Sequence, residues 1–268
     1  MVGHLFSPIG MLCLQRLAAV PSVLVFDLDG TLAPIVAHFS QAAVPEGTAG
    51  SLTRLAQFWP VAVVTGRSVA DARRILGFTP DYLFGNHGAE RADQNDQIKE
   101  MAKAGQAVTT QRLNNYRQLA GQFASALEAR NVNFEDKGLS LALHYRQSNS
   151  PVSTRAWLHE LISSVGAQAD GPEALVTDGH MVINILLPHA PDKGDALLAT
   201  MQECSAQTAL VVGDDANDEP AFVKAPSHAV TVRINATHAP TSARFSLSGQ
   251  FEVDTLLEHL LRYATRQG

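Results

Sequence analysis

Cysteine is scarce in this sequence, with only Cys13 and Cys204 among 268 residues. Two isolated cysteines exclude a disulfide framework and a cysteine zinc site, and they favour a reducing compartment, so we expect a cytoplasmic protein. The first twenty residues lack the basic start of a secretory signal, and Pro8 and Gly10 interrupt their apolar character. We therefore expect residues 1–20 to be a poorly ordered leader.

Basic clusters and long apolar runs are also missing. The chain has 20 Lys and Arg against 26 Asp and Glu, and its formal net charge is -6. Without a basic run, nucleic-acid binding is not expected. No apolar stretch reaches the length that spans a membrane, so no membrane partner is expected either. The 46% hydrophobic content is typical of a globular enzyme acting on a small molecule, and we favour a monomer.

Apolar runs alternate with helical patterns at both ends of the chain. Strands are expected at Val23–Phe26, Val61–Thr65, Tyr82–Gly85 and Ala209–Val212. Helices are expected between them at Thr48–Phe58, Val69–Leu76 and Gly194–Glu203, with another after Asp218. This order indicates an α/β fold with a doubly wound parallel sheet.

The pattern changes between residues 104 and 188. A long helix over 104–130 precedes two strands, Val132–Glu135 and Leu139–Tyr145. A second helix, Thr154–Val165, precedes strands Ala174–Thr177 and Met181–Leu187, which an Asp178-Gly179 turn would join. This αββαββ order predicts an inserted α+β domain over 104–188, within a core domain formed by 21–103 and 189–268.

Two aspartates follow the first strand directly, in the segment Asp27-Leu28-Asp29-Gly30-Thr31. In open parallel sheets, ligands bind at the carboxyl ends of the strands, which is where these residues lie. Asp27 and Asp29 are two apart and would point the same way from an extended chain. Such crowded carboxylates are costly unless a cation or a phosphoryl-transfer reaction compensates them. A strand followed by a polar turn is the simpler alternative.

Three further motifs occur at comparable places in the pattern. Thr65 closes the second strand, Lys193 opens a helix, and the acidic segment Gly213–Glu219, with Asp214 as its second residue, follows the strand Ala209–Val212. Each has a structural explanation when taken alone: a strand end, a solvated lysine, or an acidic helix N-terminus. Their occurrence together, in this order, favours one site.

The chemistry that unites these residues is phosphoryl transfer. Mg²⁺ prefers oxygen ligands, and Asp27 and Asp214 could supply two, with the Asp29 backbone carbonyl as a third. Asp27 would attack phosphorus to form an aspartyl-phosphate. Asp29 would protonate the leaving oxygen and then deprotonate the attacking water. Thr65 and Lys193 would hold the phosphoryl oxygens that are not transferred.

These motifs resemble those of the haloacid-dehalogenase-like phosphatase superfamily, and within it the trehalose-6-phosphate phosphatases. The resemblance rests on five segments: Asp27–Ile35, Thr65–Ser68, Gly85–Glu90, Glu135–Arg146 and Gly213–Glu219. It implies a Rossmann-like core with a C2-type cap formed by the inserted domain. The implied activity is Mg²⁺-dependent hydrolysis of trehalose 6-phosphate to trehalose and phosphate.

The resemblance also implies roles for individual residues. Asp215 and Asp218 would orient the waters of the metal and Lys193. The implied sugar contacts are Arg67, Asn86, His87 and Glu90 from the core, and Lys137, Ser140, His144 and Arg146 from the cap. A histidine that packs in the core is an equal alternative for His87. A solvated outer sheet face is the alternative for the polar residues of the cap strand, which alternate along it.

The sequence departs from the family pattern in one strand of the cap. Where the pattern has a glutamate and a basic residue before a proline, this chain has Ile185 and Leu187 before Pro188. In the fourth motif Asn217 stands where threonine is commoner. Two alternative functions therefore remain: a phosphatase of the same chemistry for another disaccharide or hexose phosphate, and a catalytically silent sugar-phosphate-binding regulatory domain.

Overall fold

The structure, a computed structural model, falls into two compact units. A core unit comprises Met1–Glu100 and Pro191–Gly268, and an inserted unit comprises Met101–Ala190. The residues described are 2–36, 41–92, 97–100, 106–166, 174–179, 181–187, 189–235 and 240–265. The predicted domain boundaries at residues 103, 104 and 188 lie outside these ranges. Among the described helices, none has the length and apolar character needed to cross a membrane.

Strands and helices are numbered in chain order. The strands are β1 Gly3–His4, β2 Ser22–Phe26, β3 Val61–Val64, β4 Tyr82–Gly85, β5 Glu90–Ala92, β6 Ile98–Glu100, β7 Asn133–Asp136, β8 Ser140–His144, β9 Leu175–Gly179, β10 Val182–Leu186, β11 Thr208–Gly213, β12 Val230–Ile234 and β13 Phe245–Leu247. The helices are α1 Pro8–Ala18, α2 Glu46–Leu55, α3 Val69–Leu76, α4 Gln106–Gln122, α5 Ala124–Glu128, α6 Pro151–Gly166, α7 Lys193–Glu203, α8 Glu219–Lys224 and α9 Val253–Ala264.

One sheet organises the core unit, in the order β1-β13-β12-β11-β2-β3-β4-β5-β6. Pairing is parallel from β1 through β4 and antiparallel only at β5 and β6. The central strand β2 is buried along its whole length because helices cover both faces of the sheet. Leu24 and Phe26 pack into one apolar cluster, whereas Val23 and Val25 pack into another. The mostly parallel α/β sheet expected from the sequence is confirmed.

The amino-terminal segment belongs to this fold. Strand β1 pairs in parallel with β13, and α1 buries Leu14 and Leu17 in the core. Ser7 caps α1 by accepting a hydrogen bond from the Gly10 N–H, and Pro8 occupies the first helical turn. The prediction of a poorly ordered leader is therefore wrong for residues 2–20. Proline in the first turn is favourable, so the residue that was read as an interruption starts the helix.

The inserted unit is an antiparallel four-stranded sheet, in the order β7-β8-β10-β9. Its apolar face packs against α4 and α6, with Leu141 and Ile183 of the sheet meeting Leu113 and Leu158 of the helices. The helix expected over 104–130 is divided: α4 ends at Gln122 and α5 follows, and residues 104–105 lie outside the described part. The antiparallel α+β arrangement agrees with the sequence pattern.

The expected Asp178-Gly179 turn is not formed by these two residues. Gly179 pairs with Val182 and Asp178 pairs with Ile183, so both members of the expected Asp-Gly turn are strand residues. Asp178 is held in β9 by hydrogen bonds from Arg155 and the ring of His159. These contacts from α6 outweigh the local turn preference.

Candidate active site

Asp27 occupies the carboxyl end of the central strand β2. Its backbone N–H donates to the carbonyl of Val212 in the neighbouring strand β11, at 2.9 Å. The residue is 8% exposed, and its Oδ1 accepts a hydrogen bond from Lys193 Nζ at 2.6 Å. Sheet pairing therefore fixes the backbone of Asp27, and a buried ion pair fixes its carboxylate.

Lys193 joins two of the sequence motifs. Its ammonium donates to Asp27 Oδ1 and to Asp218 Oδ1, each at 2.6 Å, and all three side chains are buried. The other oxygen of Asp218 accepts from the backbone N–H groups of Asp214 and Asp215, both at 2.9 Å. Asp218 thus holds the acidic loop and Lys193 together.

Gly213 and Gly30 allow this close packing. A Cβ on Gly213 would lie 2.2 Å from the Asp218 carboxyl carbon, and one on Gly30 would lie 2.2 Å from Asp214 Oδ2. Gly30 also has a φ of +82°, in the region that favours glycine. Both strand-end loops therefore require glycine where the carboxylates converge.

Burial and crowding change the acidity of the charged groups. Desolvation, with the nearby Asp218 and Asp29, raises the pKa of Asp27 to about 7 against the opposing effect of Lys193. Desolvation and the neighbouring carboxylates likewise raise the pKa of Asp214 well above its usual value. Burial alone would lower the pKa of Lys193, but Asp218 and Asp27 outweigh it and the pKa is raised. The single positive charge of Lys193 does not neutralise the carboxylates of Asp27, Asp214 and Asp218.

The same carboxylates fit a divalent cation. Asp27, Asp214 and Asp218 each offer an oxygen, and these atoms all lie within 4.8 Å of one another. Asp214 Oδ1 is buried and, within the described part of the chain, has no hydrogen-bond partner. An all-oxygen donor set of this kind suits a hard cation such as Mg²⁺. Asp27 and Asp214 are two of the three expected ligands, and Asp218 supplies the third carboxylate of the cluster. The expected contribution of the Asp29 backbone carbonyl remains a prediction.

The Asp29 carboxylate is bound elsewhere, by Arg67. The guanidinium donates from Nε and Nη2 to the two oxygens of Asp29, at 2.6 and 2.7 Å. Its Nη1 donates to Asp71 at 2.5 Å, and Arg67 is only 7% exposed. Such a bidentate pair is strong and directional. Arg67, predicted as a sugar contact, therefore orients Asp29 in this structure.

Thr65 and the turn after β4 lie against each other. Thr65 is 1% exposed, its carbonyl accepts from the His87 N–H, and its hydroxyl accepts from the Arg67 N–H. Asn86 and His87 have positive φ angles of 47° and 61°, which is unusual for residues other than glycine. A Cβ on Gly66 would lie 2.5 Å from the His87 ring, so the imidazole packs over that glycine.

Glu90 stabilises the start of helix α3. One of its carboxylate oxygens accepts from the backbone N–H of Val69 at 2.8 Å, at the first turn of α3. Negative charge is favourable at a helix N-terminus, where N–H groups lack partners within the helix. A sugar contact by Glu90 remains a prediction.

The residues predicted from the inserted unit share one neighbourhood. His144 Nε2 and Glu135 Oε2 are 2.7 Å apart, and Lys137 Nζ lies 3.7 Å from the same oxygen. Ser140 is 1% exposed, and Arg146 is half-buried just after β8. Glu135 is not among the residues predicted for this site, and it pairs opposite Ala142 of β8.

Strand β10 and the residue that follows it contain the positions at which the chain departs from the family pattern. Ile185 and Leu187 belong to the apolar cluster beneath α4 and α6. Asn184 points to the opposite face because successive strand residues alternate, and it pairs with Ala142 of β8. The polar residue that β10 contributes beside Ser140 and His144 is therefore Asn184.

Comparisons with known proteins agree with these observations. A model of the trehalose-phosphatase family matches residues 25–250. The chain is 30% identical to the trehalose-6-phosphate phosphatase of Escherichia coli K12 over 238 residues, covering 87% of this chain and 84% of that protein. The trehalose-phosphate phosphatase of Mycobacterium bovis BCG is also 30% identical over 247 residues, but the chain spans only 60% of its length.

Solved structures share the fold. The carboxy-terminal domain of the Candida albicans trehalose-6-phosphate phosphatase matches with a TM-score of 0.81 at 21% identity, over 99% of this chain and 98% of that one. A phosphatase of the HAD superfamily from Bacteroides thetaiotaomicron matches with a TM-score of 0.59 at 16% identity, over 91% and 95%. The fold class expected from the sequence is confirmed. With the family match and the E. coli likeness, the resemblance is confirmed as well: the chain belongs to the trehalose-phosphatase family.

Proposed function

We propose that this protein hydrolyses trehalose 6-phosphate to trehalose and inorganic phosphate, through an aspartyl-phosphate on Asp27. The observation that carries the proposal is the cluster of Asp27, Asp214 and Asp218 with the buried Lys193, where the carboxyl ends of β2 and β11 meet the start of α7. Membership of the trehalose-phosphatase family supports the choice of substrate. The cytoplasmic location and the monomeric state remain predictions.

In the first step, a carboxylate oxygen of Asp27 forms a bond to phosphorus. The bond between phosphorus and the sugar oxygen breaks, and the leaving oxygen takes a proton from Asp29. Lys193, fixed by Asp27 and Asp218, carries the positive charge that counters the incoming phosphoryl group. The Thr65 hydroxyl and neighbouring backbone N–H groups would hold the phosphoryl oxygens that are not transferred.

In the second step, a water oxygen forms a bond to phosphorus while Asp29 accepts a proton from that water. The bond between phosphorus and Asp27 breaks, and inorganic phosphate leaves. Because Arg67 holds the Asp29 carboxylate in a bidentate pair, proton donation in the first step requires this pair to open.

Mg²⁺ is the proposed cofactor, held by Asp27 and Asp214 with the support of Asp218. When bound, it would supply the positive charge that lets carboxylates and a phosphoryl group come together. The unpartnered Asp214 Oδ1, and the burial and crowding that raise the pKa values of Asp27 and Asp214, support a bound cation at this cluster.

One specific observation favours a second candidate substrate. Ile185 and Leu187, at the positions where the family pattern has a glutamate and a basic residue, lie in an apolar cluster, and the polar residue of β10 is the neighbouring amide, Asn184. An amide and a carboxylate offer different hydrogen bonds to sugar hydroxyls. A phosphatase of the same chemistry for another disaccharide or hexose phosphate is therefore the alternative.

A substrate comparison tests the choice. Purified protein with Mg²⁺ should release phosphate far faster from trehalose 6-phosphate than from sucrose 6-phosphate or glucose 6-phosphate. Equal rates on all three would contradict the trehalose assignment and favour the second candidate. Absence of phosphate release from every substrate, by a protein that still binds trehalose 6-phosphate, would favour the silent binding domain.

A further inference from the structure

A lysine outside the proposed catalytic group meets the start of the helix that carries Lys193. Lys224, the last residue of α8, donates to both carboxylate oxygens of Asp192 at 2.9 Å. It also donates to Asp195 Oδ1 at 2.7 Å. One ammonium thus bridges two carboxylates that flank Lys193 in the sequence.

Those two carboxylates form the cap of α7. Asp192 Oδ1 accepts from the Asp195 N–H at 2.9 Å, and Asp195 Oδ2 accepts from the Asp192 N–H at 3.1 Å. This reciprocal pattern is a capping box, which fixes the backbone at the start of a helix. Lys193 is the first residue inside that cap, so the cap sets the origin of its side chain.

Close packing holds the same backbone from two sides. A Cβ on Gly194 would lie 2.5 Å from Lys224 Cδ and 2.5 Å from the carbonyl of Pro220, so α7 and α8 approach closely there. A Cβ on Gly88 would lie 2.6 Å from the Asp192 carbonyl. The Asp192 backbone is therefore placed against the turn after β4 as well as against α8.

Two ion pairs consequently join α7 to the segment that runs from the acidic loop into α8. Lys193 reaches Asp218 just before α8, and Lys224 at the end of α8 reaches back to Asp192. Burial alone would lower the pKa of Lys224, but Asp192 and Asp195 outweigh it and the pKa is raised, so the ammonium stays charged. Movement of the first turn of α7 would stretch both connections.

We propose that Lys224 is a positioning residue that holds Lys193 in place through the capping carboxylates of α7. It acts through Asp192 and Asp195 and needs no contact with substrate. Its effect on turnover rests on the proposed phosphatase function, whereas its effect on the first turn of α7 does not. Exposed ion pairs contribute little to global stability, so the consequence of losing this one should be local.

The test compares Lys224→Met and Lys224→Arg with Glu203→Gln in the full-length protein. Glu203 ends the same helix and pairs with Arg91 at 2.7 Å, so its variant removes an ion pair at the far end of α7. Amide hydrogen exchange of residues 193–197 and steady-state kinetics on trehalose 6-phosphate are measured for each variant. Arginine can bind two carboxylates and should restore most of the wild-type behaviour.

We expect Lys224→Met to speed exchange in residues 193–197 and to lower kcat by about 10- to 100-fold, with little change in KM, because small displacements at reacting groups are costly. Glu203→Gln should change neither the exchange of these residues nor kcat. Unchanged exchange in Lys224→Met overturns the proposal, and so does faster exchange with unchanged kcat. If the wild-type protein releases no phosphate, the proposed function fails, while the exchange result still decides whether Lys224 holds this turn.

Discussion

The carboxyl ends of the core strands and the polar face of the inserted sheet use charge differently. At the core strand ends, Asp27, Lys193 and Asp218 are buried, pair with one another and are fixed by backbone hydrogen bonds. On the inserted sheet, the pair of Glu135 and His144 is partly exposed. Preorganised buried charge is what the reaction requires, whereas a surface that reads hydroxyl groups must stay accessible to a ligand.

In the proposed function, the core strand ends carry out the reaction and the inserted sheet recognises the substrate. The core group is the part that we propose to carry out phosphoryl transfer. The inserted sheet carries the positions at which this chain leaves the family pattern, with Ile185 in the apolar cluster and Asn184 on the polar face. Substitutions in the core group should therefore affect the turnover of every substrate, whereas substitutions on the inserted sheet should affect the preference for one substrate over another.

The largest effect should come from Asp27→Asn. This change removes the proposed nucleophile while keeping its size, so phosphate release from any substrate should fall by at least about 10³-fold. Thermal unfolding of the variant, measured in parallel, serves as the control for folding. Turnover within tenfold of the wild type would contradict the covalent mechanism.

Asp214→Asn should change stability in the direction opposite to activity. The pKa of Asp214 is raised in the folded protein, so its ionised form disfavours folding at pH values above the pKa of the unfolded chain. Without metal, the variant should unfold at a higher temperature than the wild type at neutral pH. It should also lose the stabilisation that added Mg²⁺ gives the wild type, and most of its activity. A lower unfolding temperature without metal would contradict this account of the cluster.

His144→Ala should affect the substrate rather than the chemistry. Loss of one hydroxyl contact is worth about 0.5–1.5 kcal/mol, so KM for trehalose 6-phosphate should rise by about 3- to 10-fold. Turnover of an aryl phosphate that lacks the sugar should be unchanged. Arg155→Met, which breaks an exposed ion pair in the same unit, is the matched control. Equal losses on both substrates would assign His144 to folding instead.

The smallest effect should come from the pH dependence of the inserted unit. The hydrogen bond from Arg117 lowers the pKa of Asp136, so this pair stabilises the fold above the pKa of the unfolded aspartate, about 3.9. That stabilisation disappears as the pH falls through the lower pKa of the folded state. Urea unfolding of Asp136→Asn should therefore differ from the wild type by at most about 1 kcal/mol at neutral pH. The difference should vanish at the acid end of the range; a difference that persists there would contradict the assignment.

Much of the fold could be predicted because the apolar runs and turn residues of the core are local signals. Val23–Phe26 predicts a buried strand directly, and parallel pairing brings Asp27 and Asp214 together at its end. Periodicity also located both strand pairs of the inserted unit. The order of the amino-terminal segment could not be predicted, because a two-residue strand has no pattern and α1 is held by contacts with α9, β11 and β12, which are distant in sequence.

Contacts distant in sequence could be predicted only where strand-end motifs announce them. The pairing of Arg67 with Asp29 spans 38 positions, and the bridge from Lys224 to Asp192 spans 32. Charged side chains at such spacings have no local pattern, and only the packed structure decides which of them meet. The Asp178-Gly179 turn failed for the same reason, since α6 holds Asp178 within β9.

Rapid acid quenching during turnover of trehalose 6-phosphate, followed by peptide mass spectrometry, tests the role of the core strand ends most directly. A phosphate adduct on Asp27 is the predicted result, present in the wild type and absent from Asp27→Asn. A protein that turns over the substrate with no adduct on any carboxylate, or with the adduct on a different residue, would contradict the central claim.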